Sequence, residues 1–579
     1  MTNYENKIIG FKTQPFYLKD EDIKWVIDTF NDMNIDEKIG QLFCLIAHPD
    51  EKYLNYLVQE SKVGGVLVRP MFNHEIIGIV RFLQTNSKIP LLIAGNLEAG
   101  GDGVSLEGTN FGCPLAVAAT DDVEMAYRLG VVCGREAKAL GLNWAFAPVV
   151  DIDFNFRNPI TNTRTFGSDP ERVAEMGCAF IKAVQQQGLA ATAKHFPGDG
   201  VDERDQHLVT SINTLSCEDW DATFGMVYKK CIQTGVMSIM VGHISLPAYS
   251  KVLNPDLKDE DILPASLSPE IVTGLLKEKL GFKGLVVTDA STMAGMMIPM
   301  GRERAVPQAI AAGCDMFLFA FNIEEDFKYM KQGLESGILT EERLNDAVLK
   351  ILAFKAALGL HKNREWLIPD IKNVKKVVKC KEHLEWAKEC ADRSITLVKE
   401  EKGVLPISPE KIKNILLYSI DNDSNVLNFF NMEVKNQPKK PYERFKRMLE
   451  KEGFNVEVFE PRNTIEGENQ SYEEFVNKYN LIIYLVNLAT KSNQTVVRIE
   501  WAQPRGANVP VFINKIPTIF ISLANPYHLL DVPRVKTYIN AYGSSDIILE
   551  ALLDKLMGRS EFKGKSPVDP FCGKWDARL

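Results

Sequence analysis

The 579-residue chain offers little to a nucleic acid or a membrane. Its 76 acidic residues outnumber its 67 lysines and arginines, for a formal net charge of −9. No basic surplus exists to neutralise phosphates, so nucleic acid is not an expected partner. The longest apolar runs, such as LIIYLVNLA (481–489), are strand-sized and fall short of the ~20 residues of a spanning helix. No membrane partner is expected. The first residues, MTNYENKIIGFKTQPFYLKDED, lack the basic start and apolar run of an export signal, so the expected location is the cytoplasm. Ten cysteines occur as singletons without a CxxC pair. That pattern fits reduced thiols better than a disulfide framework or a zinc site. No metal or organic cofactor is expected, and the oligomeric state is left open.

What is present is a long alternation of short apolar runs and amphipathic stretches. Eight runs read as strands: QLFCLIA (41–47), GGVLVR (64–69), LLIAGN (91–96), NWAFAPVVDI (143–152), ATAKHF (191–196), SIMVGHI (238–244), GLVVTDA (284–290) and CDMFLFA (314–320). Each is nearly continuous in apolar residues, as a parallel strand buried on both faces must be. Eight strand–helix units predict a (β/α)8 TIM-like barrel over residues 1–360. A polar, basic, proline-containing stretch at 361–385 reads as a linker. Residues 386–579 then repeat the α/β alternation as a separate sandwich domain, with strands at 415–419, 455–459, 481–489, 517–524 and 537–542. No GxGxxG follows its first strand, so a dinucleotide site is not supported. The loop RIEWAQPRGAN (498–508) reads as a solvated turn.

In such a barrel, functional groups collect at the C-terminal ends of the strands. Asn96 and Glu98 follow the third strand; Asp151, Asp153 and, later, Arg164 follow the fourth. Lys194 and His195 end the fifth, His243 the sixth and Asp289 the seventh. One polar strand end is weak evidence, because many only cap the next helix. Five consecutive strands ending this way mark one mouth. Glycoside hydrolysis by a retaining route needs a carboxylate nucleophile and a proton donor to the leaving oxygen. Asp289 is placed for the first role, although the pattern alone equally allows it to cap the following helix. For the second, KHFPGDGVDERDQH (194–207) holds two of the chain's eight histidines on a loop rich in carboxylates. A carboxylate beside an imidazole favours the protonated ring and fixes its tautomer, and Asp205 lies two residues from His207.

The same stretch resembles the signature of glycoside hydrolase family 3, in its bacterial β-N-acetylglucosaminidase branch, KH(F/I)PG-x-G followed by D-x-H. NIDEKIGQLF, FAPVVDID, RTFGSDP, SLSPEIVTGLLKEKLGFKGLVVTDA and AGCDMFL are similar to further family segments and come in the family's order. The resemblance implies Asp289 as nucleophile, and His207 as general acid/base with Asp205 as its partner. It also implies that Lys194, His195 and Arg164 bind sugar hydroxyls. Three positions depart from the pattern. NLEAGG puts Asn96 where the family has an aspartate, Asp199 stands where histidine is usual, and Gln206 stands for the serine of D-S-H.

The expected function is a retaining exo-glycosidase that releases terminal β-linked N-acetylglucosamine from chitin- or peptidoglycan-derived oligosaccharides. Asn96, Glu98 and His243 join Lys194, His195 and Arg164 as expected substrate contacts. Alternatives are a phosphorylase of the same fold using inorganic phosphate as acceptor, a β-glucosidase or β-xylosidase, and, last, a non-catalytic sugar binder. Retention of Asp289, Asp205 and His207 together speaks against the last.

Overall fold

A computed structural model describes residues 8–421, 439–460, 471–495, 498–502 and 508–579. The chain divides into two compact units. The first holds residues 1–111 and 123–384, the second residues 112–122 and 385–579.

The first unit is a closed barrel of eight parallel strands: β1 Phe43–Ile46, β2 Gly65–Leu67, β3 Leu92–Gly95, β4 Trp144–Ala145, β5 Ala190–Phe196, β6 Ser238–Val241, β7 Leu285–Ala290 and β8 Met316–Leu318. Each strand pairs with its neighbours in the sequence, and β8 closes on β1 through Phe43 opposite Phe317. All eight runs expected from the sequence are strands, and the barrel is the predicted fold class. Helices cover the outside, and the apolar strand residues are buried on both faces, which is why the runs read as continuous. Inside, Trp144 Nε1 donates to Thr192 Oγ1 (2.8 Å) and Ser238 Oγ (3.0 Å), so the one polar edge of a large core ring is satisfied.

The second unit carries a six-stranded sheet: β9 Thr396–Lys399, β10 Asn414–Asp421, β11 Asn455–Val458, β12 Leu481–Asn487, β13 Thr518–Ser522 and β14 Thr537–Asn540. The spatial order is β9-β14-β13-β12-β10-β11, parallel throughout except for β9 at the edge. Two apolar clusters cover its faces, one around Ile415, Leu449 and Leu549, the other around Tyr484, Phe520 and Leu529. The α/β sandwich was legible from the sequence, but β9 was not. Thr396–Lys399 follows its helix after a single residue and is too short to show a period.

Two boundaries differ from the sequence expectation. Residues 361–384, read as a linker, contain the helix Ile371–Val377 and group with the barrel unit. Residues 112–122, from within the expected barrel span, group with the second unit, where Ala119 O accepts from Lys565 N–H (2.9 Å). In the loop 498–508, Arg498 Nε donates to Asp531 Oδ1 (2.6 Å), as a solvated turn allows, while residues 503–507 lie outside the described residues.

One barrel residue carries a charge cost. Lys355, on the helix Glu341–Ala357, is fully buried and donates to Gln41 Oε1 at 2.6 Å. Burial, with the nearby Arg364 charge, pushes its ammonium down to about 7 from an ordinary value of 10.5. The folded chain therefore binds fewer protons than the unfolded one between about pH 7 and the unfolded value, and stability from this group rises with pH there. Lys355→Met should raise the melting temperature most below pH 7, with the gain shrinking as pH climbs toward 10. A gain independent of pH would contradict the buried-charge account.

Candidate active site

Most of the residues expected at the mouth lie at or beyond the C-terminal ends of β3 to β7, where contacts sort them into three groups.

The first group surrounds Asp289, at the penultimate position of β7. Its Oδ1 accepts from the Ala290 N–H (2.7 Å), and its Oδ2 lies 3.8 Å from His195 Nε2. The helix that follows, Ala294–Met297, starts at Met293 without a side-chain cap, so Asp289 does not serve as that cap. Burial raises the Asp289 pKa, but His195, His243, His207 and the Ala290 N–H outweigh it and hold the carboxyl below its ordinary value. An ionised carboxylate facing the mouth is what a nucleophile requires.

The second group begins at Asp151, fully buried just beyond β4. Its Oδ1 accepts two backbone N–H groups, from His195 (3.0 Å) and Asp199 (2.8 Å). Its Oδ2 lies 2.7 Å from His195 Nδ1. An ionised carboxylate only accepts, so Nδ1 is the donor and Nε2 is left facing Asp289. Glu98 builds the adjoining wall. Its two oxygens take Arg164 bidentately, through Nε (2.9 Å) and an Nη (2.8 Å), and Lys194 Nζ sits 2.7 Å away. Burial works against the Glu98 charge, yet the two cations hold its carboxyl well below the ordinary range. Glu98 thus fixes two cations for which sequence predicted direct sugar contact. Arg164 remains a third exposed while Lys194 is buried. Asn96, at the end of β3, is exposed.

The third group is the loop after β5. His207 donates its backbone N–H to Asp205 Oδ1 (2.8 Å), and its Nδ1 lies 2.7 Å from the same oxygen. Asp205 is buried while the His207 ring is 26% exposed, so Nε2 is the nitrogen left for other partners. Asp199 is buried too. Burial, and then the Asp151 charge, push its carboxyl up to about 7.

His243 departs from its expected role. Its ring is buried, with Nε2 donating to Ala290 O (3.0 Å) and Nδ1 paired with Ser266 Oγ (2.7 Å). Burial lowers its pKa, and the ring braces the backbone beside Asp289 with no nitrogen spare for a ligand. Sequence reasoning singled out Asp151 only as a strand-end acid and missed its hold on His195. It gave no role to Ser266, which opens the family-like segment SLSPEIVTGLLKEKLGFKGLVVTDA.

With this geometry in place, comparison with known proteins decides the family. Residues 34–354 match the model of the glycosyl hydrolase family 3 N terminal domain. The chain belongs to glycoside hydrolase family 3. It is 50% identical over 573 residues to a beta-N-acetylglucosaminidase/beta-glucosidase of Cellulomonas fimi, covering 99% of this chain and 100% of that one. A solved structure of the beta-glucoside phosphorylase BglX is 43% identical with a TM-score of 0.91, covering 99% of this chain and 100% of that one. A family 3 beta-N-acetylglucosaminidase from Paenibacillus sp. str. FPU-7 is 24% identical with a TM-score of 0.77, covering 94% and 100%, and shares the fold.

Asp151 sets the tautomer of His195. In Asp151→Asn the amide can still accept both backbone N–H groups but offers a donor to Nδ1. The ring should then shift its proton to Nε2, facing Asp289. The expected result is a loss in kcat/KM of about 10–10²-fold with the melting temperature little changed, and a tautomer shift in the His195 nitrogen resonances. An unchanged tautomer would contradict the assignment.

Proposed function

We propose that the chain is a retaining β-glycosidase that removes terminal β-linked N-acetylglucosamine, and glucose more slowly, from short oligosaccharides. The observation that carries this is the Asp289 carboxylate, kept ionised at the barrel mouth, with the Asp205–His207 pair on the adjacent loop. In the first step an Asp289 oxygen attacks the anomeric carbon while His207 Nε2 gives its proton to the departing oxygen. Asp205 holds the Nδ1 side of the ring and stabilises its positive form. In the second step the neutral ring takes a proton from the acceptor, which displaces Asp289 from the sugar. Arg164, set by Glu98, and His195, set by Asp151, are assigned to the sugar hydroxyls, and Asn96 offers them an uncharged amide. No step needs a metal or organic cofactor. The reading places the enzyme in the cytoplasm, where its ten free thiols stay reduced.

Asp289→Ala should fold normally and lose at least about 10⁴-fold in kcat on aryl N-acetyl-β-glucosaminides, because the covalent route is closed. The parent should show higher kcat/KM for N-acetylglucosaminides than for glucosides or xylosides. Residual activity in Asp289→Ala near the parental level would reject the nucleophile, and preference for a xyloside would reject the sugar assignment.

A second reading is supported by the 43% identity to a protein named beta-glucoside phosphorylase. The acceptor reaches the glycosyl-enzyme past the acid/base. An ionised carboxylate there would repel a phosphate anion, whereas a neutral imidazole does not. On this reading phosphate replaces water and the sugar leaves as its 1-phosphate. Product masses in phosphate and in a non-phosphate buffer separate the two: sugar 1-phosphate establishes phosphorolysis, and free sugar alone at millimolar phosphate rejects it.

A further inference from the structure

We infer that Gln206, together with Asp199, is a positioning pair that holds the His207 loop against the barrel ends. The inference rests on the reading of His207 as acid/base given above.

His207 lies eleven residues beyond the end of β5, on a segment made of turns and bends. Such a segment has high conformational entropy, yet a proton donor misplaced by 1 Å can cost about 10²-fold in rate. The Asp205 contact does not solve this, because it is local: the residues are two apart and move together. The tie to the barrel comes from the residue between them. The Gln206 side chain is fully buried. Its Oε1 accepts from the His243 N–H at 2.7 Å, just past β6. Its Nε2 donates to Asp199 Oδ2 at 3.4 Å. The backbone adds two more bonds, from Gly295 N–H to Gln206 O and from Ala294 N–H to His207 O, both 3.1 Å.

Asp199 is anchored in turn. Its Oδ1 accepts from Asn158 Nδ2 (2.8 Å) and the Gly200 N–H (2.7 Å), and its own N–H donates to Asp151. The Gln206 amide therefore joins the segments after β5 and β6; Asp199 carries the link to Asp151 beyond β4, and the Gln206 carbonyl carries it to Gly295 beyond β7. The socket has no slack: a Cβ at Gly295 would fall 2.5 Å from Gln206 O, and one at Gly242 would fall 3.0 Å from Gln206 Oε1.

The same two positions are the loop's departures from the family pattern. A serine at 206 has one short hydroxyl and cannot reach from the His243 N–H to a residue-199 carboxylate. A histidine at 199 would not supply that carboxylate. In this chain the two side chains meet, Gln206 Nε2 donating to Asp199 Oδ2. This contact deepens the assigned function by explaining how a loop-borne histidine is kept at hydrogen-bond range of the leaving oxygen.

The polarity of the pair gives a clean test. Asp199→Asn keeps the acceptor for Asn158 and Gly200 but turns a donor toward Gln206 Nε2. Gln206→Glu keeps the acceptor for His243 but sets a carboxylate against Asp199. The double variant, Asp199→Asn with Gln206→Glu, restores the 199–206 bond with donor and acceptor exchanged and leaves residue 206 as acceptor for the His243 N–H. Each is measured on a 2,4-dinitrophenyl glycoside, which needs no proton, and on an alkyl glycoside, which does. The single variants should lose about 10-fold or more in kcat/KM on the alkyl glycoside and less than about threefold on the activated one. The double variant should return to within about threefold of the parent on both. His207→Ala run alongside separates the two claims. If it loses equally on both substrates, the acid/base reading fails. If it shows the selective loss but the single variants do not, or the double variant is no better than they are in activity or folding, the positioning pair is overturned.

Discussion

A carboxylate taken wholly out of water must have its oxygens filled, and Asp151 fills its own with three N–H groups from the next strand and loop. That constraint organises the mouth. One bond fixes the tautomer of His195, which then faces Asp289. Another fixes the backbone at Asp199, whose side chain meets Gln206 and through it the loop of His207. Asp289 comes from β7 and His207 from the loop after β5; the contacts of Asp151 reach that loop through Asp199 and face Asp289 through His195. Glu98 plays the matching role for Arg164 and Lys194, so Asp151 and Glu98 shape the site without being candidates for bond-breaking.

Much of the barrel was legible because parallel strands covered on both faces must be apolar throughout. β4 is reduced to two residues, yet its sequence run is ten long and so still stood out. Unit boundaries were not legible. A proline and a run of lysines at 361–385 look like a linker, but the helix Ile371–Val377 buries Val374 and stays with the barrel. Nothing in the alanine-rich helix Pro114–Ala119 announces that it belongs with the second unit. β9 was missed for want of length.

The site was legible as a set of positions and less so as a set of directions. Strand-end spacing pointed to Glu98, Arg164, Lys194, His195 and Asp289, because the fold forces such residues to one face, and the loop KHFPGDGVDERDQH pointed to His207. It could not say that Lys194 is buried against Glu98, or that both nitrogens of His243 face protein atoms. Likewise, Asp199 and Gln206 stood out as departures from the family pattern while their partnership did not. They stand seven positions apart in sequence, and only the folded loop brings amide and carboxylate together.

The central claim is that Asp289 forms the glycosyl-enzyme. Incubating the enzyme with a 2-deoxy-2-fluoro glycoside that reacts quickly and turns over slowly, followed by proteolysis and peptide mass analysis, tests it directly. The account predicts one added sugar, carried on Asp289 within the sequence GLVVTDAS. A sugar attached to any other carboxylate, with Asp289 unmodified, would contradict it.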